Sequence, residues 1–193
     1  GFVSRGLGDV YKRQICRYVG IKEEHIKMAI LSFKGLPHRL ELVASCDIAG
    51  NQLRIINDSK ATNDAAAARA LSSFQQIFWC AGGLAKETSL SNWIKELRQV
   101  KHAYLYGNSK TQFQSELSGL IPTTLAKNLE DATSKAFAAA KKFTLQDGVD
   151  SFVLLSPAAA SFDTFANFEE RGRQFTDLAK KLCQQQPHHM EVL

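Results

Sequence analysis

Short apolar runs alternate with amphipathic segments over most of this chain. Residues 23–33 carry apolar side chains at the i, i+3, i+4, i+7 spacing of an amphipathic helix, which Gly35 and Pro37 end. Residues 40–46 and 52–56 are apolar runs separated by turn-forming residues, and this pattern predicts a hairpin. A helix and a hairpin therefore come first in the predicted fold.

From residue 64 onward, predicted helices and strands alternate. The helices are expected at residues 64–74, 90–97, 112–117, 129–143 and 165–183, and the strands at 77–81, 103–106, near 121 and at 151–155. Such alternation indicates a parallel sheet covered by helices on both faces. The continuous apolar character of residues 77–81 and 152–155 is typical of strands buried on both sides. The predicted fold class is α/β, with a mostly parallel sheet.

The first 14 residues show no periodicity and no initiating methionine. Residues 1–14 are interpreted as a leader foreign to the fold, an artefact rather than part of the domain. The ordered fold is expected to begin near Ile15.

Composition narrows the function classes. The chain has 193 residues, of which 45% are hydrophobic and 22% charged, so it can hold one globular domain with extra material, or a domain plus a piece of another. The net charge of +5 is mild, and no arginine-rich run with interleaved aromatics is present, so a nucleic-acid partner is not expected. No apolar run reaches the ~18 residues of a membrane span and no signal peptide is visible, so a membrane partner is not expected either.

The four cysteines, Cys16, Cys46, Cys80 and Cys183, lie far apart and form no CxxC pair. The spacing therefore predicts neither a disulfide framework nor a metal site, and it favours a reducing, cytoplasmic location. Cys46 and Cys80 lie in apolar runs and are expected to be buried small hydrophobic side chains.

Polar groups cluster where the predicted strands end. Ligands of parallel sheets bind beyond the carboxyl ends of the strands, and residues 57–63, 82–89 and 156–168 follow three predicted strands. Residues 35–41 add a proline-containing turn with an imidazole, a guanidinium and a carboxylate. These segments together predict a site for a charged ligand.

The first of these loops offers a carboxylate, an ammonium and a hydroxyl before a helix. Asp58 can accept hydrogen bonds from ribose hydroxyls, and Lys60 can neutralise a phosphate. Thr62 or Asn63 can equally serve as an N-cap, and for Asn63 the capping role is favoured.

The second loop has two glycines after a strand and then Lys86. It resembles a phosphate loop only faintly, because it matches neither GxxxxGK[ST] nor GxGxxG. A tight strand-to-helix turn with an exposed lysine is the alternative.

The third loop has small residues followed by Ser161, which stands before a helix. A helix N-terminus beside a hydroxyl suits an anion such as a carboxylate. Ser161 lacks an obvious partner base, so a hydrolase is not expected. His38, next to Arg39, is interpreted as a positioning group rather than a base.

Four motifs occur in a specific order: GLPHRLE at residues 35–41, INDSKATN at 56–63, AGGLAK at 81–86 and LLSPAAASFDTFANFEERGRQF at 154–175. Together they resemble the C-terminal part of the Mur ligase family, in particular the D-glutamate-adding ligases of peptidoglycan synthesis. The resemblance extends from about Ile15 to Leu182. It implies that residues 15–34 end a central ATPase domain and that residues 35–193 form a Rossmann-like C-terminal domain.

The resemblance also implies a reaction. ATP phosphorylates the carboxylate of UDP-N-acetylmuramoyl-L-alanine, and the amine of D-glutamate attacks the acyl phosphate. ATP and Mg²⁺ are the expected cofactors. The side chains that bind Mg²⁺ are expected in the central domain, and no metal ligand is assigned to the residues of this chain. No Walker A sequence occurs in these residues, so the chain alone is expected to be inactive. A monomer is expected.

Site residues are carried over by motif position. The resemblance places ATP contacts on His38, Arg39 and Asp58, a catalytic role near the transferring phosphate on Lys60, and D-glutamate contacts on Thr62, Lys86, Ser161, Phe162 and Phe168. Where some members have an acidic residue two positions before the lysine, this chain has Leu84, which leaves the orientation of Lys86 less defined.

Two alternatives stay open. One is a stand-alone, non-catalytic domain that binds an acidic amino acid or a nucleotide. The other is a Mur-type or folylpolyglutamate-type ligase with a different amino acid.

Overall fold

The structure is a computed structural model that describes residues 7–33, 35–85 and 95–185. The chain divides into two compact units, one ending at Gly35 and the other beginning at Leu36.

The first unit contains two helices, α1 (Leu7–Tyr18) and α2 (Glu23–Ser32). Arg17 Nε donates to Glu23 Oε2 at 2.7 Å. Because α1 begins at Leu7, the expected start of the ordered chain near Ile15 is wrong. Apolar residues of α1 recur at helical spacing on both sides of Ile15. A boundary at Ile15 divides this pattern, so the helix was not predicted.

Many apolar side chains of this first unit are exposed. They are Tyr11, Ile15, Tyr18, Val19, Ile21, Met28, Leu31 and Phe33. An apolar surface of this extent is unusual for a soluble unit that stands alone.

The second unit is built on one six-stranded sheet. Its strands are β1 (Glu41–Ile48), β2 (Asn51–Asn57), β3 (Ile77–Gly82), β4 (Val100–Tyr106), β5 (Thr123–Leu125) and β6 (Ser151–Leu155). The spatial order is β1-β2-β6-β3-β4-β5. Among the strands of the described residues, only the β1–β2 pair is antiparallel, and the other four pairs are parallel. The predicted mostly parallel α/β sheet is confirmed.

The predicted hairpin is formed by β1 and β2. They join through Ala49 and Gly50, whose φ values of 53° and 86° fit the type I′ turn that suits a two-residue hairpin. The hairpin does not precede the sheet, because β2 also pairs with β6 and β1 forms the sheet edge.

Helices cover both faces of the sheet, as predicted. The second unit contains α3 (Asp64–Leu71), α4 (Lys110–Leu117), α5 (Leu129–Asp147), α6 (Phe168–Gln184) and a 3₁₀ helix (Glu96–Gln99). Alternate residues of β3 serve opposite faces. Phe78 and Cys80 pack in the core beneath α5 and α6, while Ile77 and Trp79 pack in the core beneath α3 and α4. None of the helices in the described residues is long and apolar enough to cross a membrane.

Asparagine side chains begin three of these helices. Asn63, Asn128 and Asn167 each accept a hydrogen bond from the backbone N–H three residues later, at 2.9, 2.9 and 2.8 Å. Each bond satisfies a donor that has no partner inside the helix. The preferred interpretation of Asn63 as an N-cap is confirmed.

Two predicted elements differ from the structure. Of the helix expected at 90–97, residues 90–94 lie outside the described residues, and the described remainder includes only the 3₁₀ helix Glu96–Gln99. The strand expected near 121 is β5, at Thr123–Leu125. Ile121 instead lies after the turn that follows α4, where its N–H donates to Leu117 O at 3.3 Å.

Cys46 and Cys183 form a disulfide, with Cα atoms 5.6 Å apart. The expectation of no disulfide is therefore wrong. The two cysteines are 137 residues apart in sequence, and spacing rules did not detect them because the packing of α6 against β1 brings them together. Cys80 is a buried free thiol, as predicted.

Candidate functional site

A cleft of about 540 Å³ lies where β2 and β6 end. It is lined by Lys60, Thr62, Asn63, Ala158, Ala160, Ser161, Phe162, Asn167, Phe168 and Glu169. These residues come from the loop after β2, the loop after β6 and the start of α6. The cleft therefore lies at the carboxyl ends of parallel strands, where the sequence analysis expected a site.

Five residues that the motifs assigned to the site line this cleft together. They are Lys60, Thr62, Ser161, Phe162 and Phe168. Ser161, Phe162 and Phe168 come from the loop after β6 and the start of α6. Lys60 and Thr62 come from the loop after β2. The structure thus brings a phosphate-binding candidate and amino-acid-binding candidates to one place.

Of the other four assigned residues, three do not line the cleft and the fourth is not described. Lys86 is outside the described residues. His38 is beside the cleft, with its ring centroid 6.3 Å from that of Phe168 in an edge-on arrangement. Arg39 is exposed, whereas Asp58 is only 8% exposed and does not line the cleft.

Lys60 contacts an aromatic ring through its ammonium and a turn through its backbone. Its Nζ lies 3.8 Å from the centroid of the Phe168 ring, a cation–π distance. Its backbone N–H donates to His38 O at 3.1 Å. Lys60 therefore connects the turn at 35–41 to the start of α6.

The N-terminus of α6 lines the cleft. Two side chains cap it by accepting hydrogen bonds from backbone N–H groups. Asn167 accepts from the N–H of Glu170 at 2.8 Å, and Glu170 Oε2 accepts from the N–H of Ala166 at 2.8 Å. Ser161 is buried nearby, and Glu169 contributes a carboxylate. The cleft thus offers a cation, a helix N-terminus and an anion within a small space.

Asp58 links the loop after β2 to the turn at residues 35–41 and to the loop after β6. Its Oδ1 accepts from Leu40 N–H at 3.2 Å and its Oδ2 from Ser156 Oγ at 3.1 Å. Burial raises the pKa of Asp58 to about 6, and the two hydrogen bonds oppose that rise. Both carboxylate oxygens already have partners within the protein, and a contact with ribose stays a prediction.

Arg171 is fully buried and connects the two cleft loops. Its Nε donates to Ser59 Oγ at 3.0 Å, its Nη2 to Ser59 O at 2.9 Å and its Nη1 to Ala159 O at 3.1 Å. Ser59 Oγ in turn donates to Phe168 O at 2.8 Å. The guanidinium therefore sets the relative position of the loops that carry Lys60 and Ser161.

No role was predicted from the sequence for Asn57, Ser59 or Arg171. For Arg171 a signal was present, because it lies four and eight residues before the buried Phe175 and Ala179 on one stripe of α6. A charged residue on an apolar stripe indicates a buried polar contact. Asn57 and Ser59 had no comparable signal.

The two glycines after β3 allow close packing of backbones. Gly82 and Gly83 have φ values of 137° and 131°. A Cβ on Gly83 would overlap the carbonyl oxygen of Ala160, and Leu84 and Ala160 exchange backbone hydrogen bonds of 2.9 and 3.1 Å. The described part of this loop ends at Ala85, so the choice between a phosphate loop and a tight strand-to-helix turn stays a prediction.

The sequence of this chain is similar to those of known ligases. The chain is 40% identical over 167 residues to the UDP-N-acetylmuramoylalanine–D-glutamate ligase of Phenylobacterium zucineum, covering 86% of this chain and 34% of the relative. It is 41% identical over 168 residues to the enzyme of the same name from Rhodospirillum rubrum, covering 87% and 34%. Over most of its length the chain is therefore similar to a part of these ligases. The resemblance of the four motifs is confirmed, and the chain spans about a third of the length of the Mur ligases it matches.

A solved Mur ligase shares the fold. The crystal structure of UDP-N-acetylmuramate–alanine ligase from Thermotoga maritima matches with a TM-score of 0.55 at 13% identity. The match covers 88% of this chain and 36% of that one. No protein-family model matches the chain.

Mur ligase resemblance implies Mg²⁺, and the described residues do not fit it. They contain no group of three or more His, Cys, Asp or Glu side chains that could hold a metal ion. Among the described residues that line the cleft, Glu169 is the single carboxylate, beside an ammonium and hydroxyls. A magnesium ion is therefore not assigned to this part of the chain.

Proposed function

We propose that residues 35–193 are the amino-acid-binding C-terminal domain of a ligase that uses ATP to add D-glutamate to UDP-N-acetylmuramoyl-L-alanine. The observation that carries this proposal is the shared cleft of Lys60, Ser161 and Phe168 at the N-terminus of α6. An amino acid carries both an ammonium and carboxylates, and the cleft presents a cation, a helix N-terminus and the Glu169 carboxylate.

The division of the chain near residue 35 supports a domain boundary there. Residues 15–34 are proposed as the end of a central ATPase domain. The exposed apolar side chains of the first unit support this, because burial against further protein would remove that surface from water. The assignment of residues 1–14 to a leader stays a prediction.

The proposed reaction has two steps that balance. The γ-phosphoryl group of ATP is transferred to the carboxylate of the sugar substrate, and ADP leaves. The amine of D-glutamate then attacks the acyl carbon, inorganic phosphate leaves, and the amine loses a proton. Positioning and neutralisation of charge are the main contributions expected from the protein.

The residues of this chain divide that work. Lys60 is proposed to neutralise the transferring phosphate, with Phe168 holding its ammonium in place. Thr62, Ser161 and the backbone of Phe162 are proposed to donate to the carboxylates of D-glutamate. Lys86 is proposed to add a second cation, and Phe168 a packing wall.

Adenine nucleotide contacts are proposed for the neighbouring turn. His38 and Arg39 are placed near the nucleotide and Asp58 near its ribose, and Mg²⁺ is proposed to bind in the central domain. The proposed protein acts as a monomer in the cytoplasm, where ATP is available.

A domain exchange tests the proposal. The C-terminal third of the Phenylobacterium zucineum ligase is replaced by residues 35–193, and ATP-dependent incorporation of D-glutamate is measured. Activity is expected from the chimera and not from this chain alone. Lys60→Met should abolish it, whereas Lys142→Met, on the exposed face of α5, should not. A folded chimera that binds ATP but adds no D-glutamate would contradict the proposal. Binding of D-glutamate without any chemistry in the chimera would favour the stand-alone binding domain.

A further inference from the structure

Asn57, the last residue of β2, has a fully buried side chain in a polar network. Its Oδ1 accepts from Ser59 N–H at 3.0 Å, and its Nδ2 donates to Gly172 O at 2.9 Å. A backbone N–H can only donate and a carbonyl can only accept. Two independent partners therefore fix which end of the amide carries the oxygen.

The same Nδ2 lies 3.0 Å from His38 Nδ1 and 2.9 Å from Thr176 Oγ1. An amide nitrogen has two hydrogens for its three neighbours here, Gly172 O, Thr176 Oγ1 and His38 Nδ1, and it has no lone pair available to accept a hydrogen bond. A proton on His38 Nδ1 would therefore point at a donor. The arrangement requires a lone pair on Nδ1, so the proton of the neutral ring is on Nε2.

Glu41 is the charged group that could draw a proton to His38 Nδ1. Its Oε2 lies 4.0 Å from Nδ1, which is too far for a hydrogen bond. That oxygen already accepts from the backbone N–H of His38 at 2.8 Å. The Asn57 contact, at 3.0 Å, is shorter and lies within hydrogen-bond distance, so it decides the tautomer.

The ring is also held in place by its surroundings. A Cβ on Gly172 would overlap the His38 imidazole, so the ring packs directly on the backbone of α6. His38 has a φ of 60°, an uncommon conformation for a residue with a side chain, and its side chain is 13% exposed. Nε2 is on the side of the ring away from Asn57.

We propose that Asn57 is a positioning residue that fixes His38 as the Nε2-protonated tautomer, so that the turn presents a hydrogen-bond donor to its ligand. This rests on the proposed function for the nature of the ligand, an adenine nucleotide. The group that meets His38 is then an acceptor, an oxygen or nitrogen with a lone pair, and not a donor. Asn57 acts through His38 and does not touch the ligand.

Nitrogen NMR tests the tautomer directly. Long-range ¹H–¹⁵N correlation spectra of the labelled chain are recorded at a pH where histidine rings are neutral, and His38 is assigned with His38→Gln. The expected spectrum shows an unprotonated Nδ1 and a protonated Nε2. In Asn57→Asp the carboxylate accepts a hydrogen bond, so the proton is expected to move to Nδ1.

Two controls separate this effect from general disturbance. Thr176→Val removes another acceptor of the Asn57 amide and should leave the His38 pattern unchanged. His102, whose Nε2 lies 2.8 Å from Thr124 Oγ1 at the other end of the sheet, should not change in any variant.

A proton on Nδ1 of His38 in the unsubstituted chain would overturn the inference. So would a folded Asn57→Asp variant in which the pattern does not reverse. If that variant does not fold, the spectrum of the unsubstituted chain decides alone. An ATP titration distinguishes the two proposals, since failure to bind ATP with the tautomer intact would count against the proposed function only.

Discussion

The guanidinium of Arg171 and the backbone and hydroxyl oxygens of Ser59 form two hydrogen bonds of 2.9 and 3.0 Å beneath the cleft. A third bond of 3.1 Å reaches Ala159 O. Within the described residues, no ion pair is formed between Arg171 and a carboxylate. The buried charge is satisfied by neutral oxygens, and the loops after β2 and β6 are thereby tied to one helix.

Replacing Arg171 with methionine should leave the oxygens of Ser59 and Ala159 without these donors. The free energy of unfolding is expected to fall by about 2–4 kcal/mol, because buried acceptors lose charge-assisted bonds. Urea denaturation followed by circular dichroism measures this. Arg173→Met is the matched control, since Arg173 is exposed on the same helix. Equal losses in the two variants would show that the buried bonds contribute little.

Gly83→Ala should disturb the contact between the loops after β3 and β6. The new Cβ would overlap Ala160 O and press on the Arg171 guanidinium, at a cost of about 1–3 kcal/mol beyond the strain of its backbone conformation. Gly119→Ala is the control, because Gly119 also has a positive φ but nothing lies within 4 Å of an added Cβ. Thermal melts compare the two variants. A Gly119 variant that is destabilised as much as the Gly83 variant would contradict the packing argument.

The bond between Cys46 and Cys183 should make stability depend on reductant. Dithiothreitol is expected to lower the free energy of unfolding by about 2–5 kcal/mol, because the bond closes a long loop in the unfolded chain. Cys183→Ser should show the lower stability without reductant, and Cys16→Ser should match the unsubstituted chain. In a reducing compartment the state of this pair follows the local redox poise.

Intact-mass measurement under non-reducing conditions checks the bond itself. The oxidised chain should be lighter by two hydrogens than the reduced chain. Two free thiols at Cys46 and Cys183 after air oxidation, with unchanged urea denaturation, would rule out a stabilising bond.

The buried carboxylate of Asp58 should make stability depend on pH. Its folded pKa of about 6 is above its unfolded value of 3.8, so its contribution is fully present below pH 3.8 and is lost as pH rises through about 6. The loss is at most about 3 kcal/mol. Asp58→Asn retains an acceptor for Leu40 and does not titrate, so its stability relative to the parent should increase across this window.

This difference is measured by urea denaturation of the parent and of Asp58→Asn. Several pH values between about 4 and 7 are used, a range that covers the two pKa values. Asp147→Asn, at the exposed end of α5, is the control. A constant difference between Asp58→Asn and the parent across the window would mean that Asp58 does not titrate there.

Much of the fold could be predicted because its signals are local. The apolar run at 77–81 became β3, and the periodic segment from Leu129 became α5. The position of the hairpin at the sheet edge could not be predicted, since it depends on the pairing of β2 with β6 about 100 residues later. The start of α1 was not predicted, because the sequence of residues 1–14 was interpreted as a leader.

The motifs predicted several of the residues that line the cleft. Lys60, Thr62, Ser161 and Phe168 converge in the cleft as the motif order implied. Their supporting contacts are long-range. Arg171 lies 112 residues from Ser59, and only folding brings such pairs together.

D-glutamate titrated into the ¹⁵N-labelled chain tests the central claim most directly. The claim is that the cleft at the start of α6 binds an acidic amino acid of defined handedness. Amide shifts are followed across the described residues, with L-glutamate as the matched control ligand and Lys60→Met as a variant that removes the cation of the cleft.

D-glutamate is expected to move the amide signals of Thr62, Ser161, Phe162 and Phe168 in a saturable way, and Lys60→Met is expected to weaken that response. L-glutamate is expected to produce much smaller changes at the same concentrations. Saturable shifts of equal size with both ligands, or shifts confined to residues outside the cleft, would contradict the assignment of the cleft to D-glutamate.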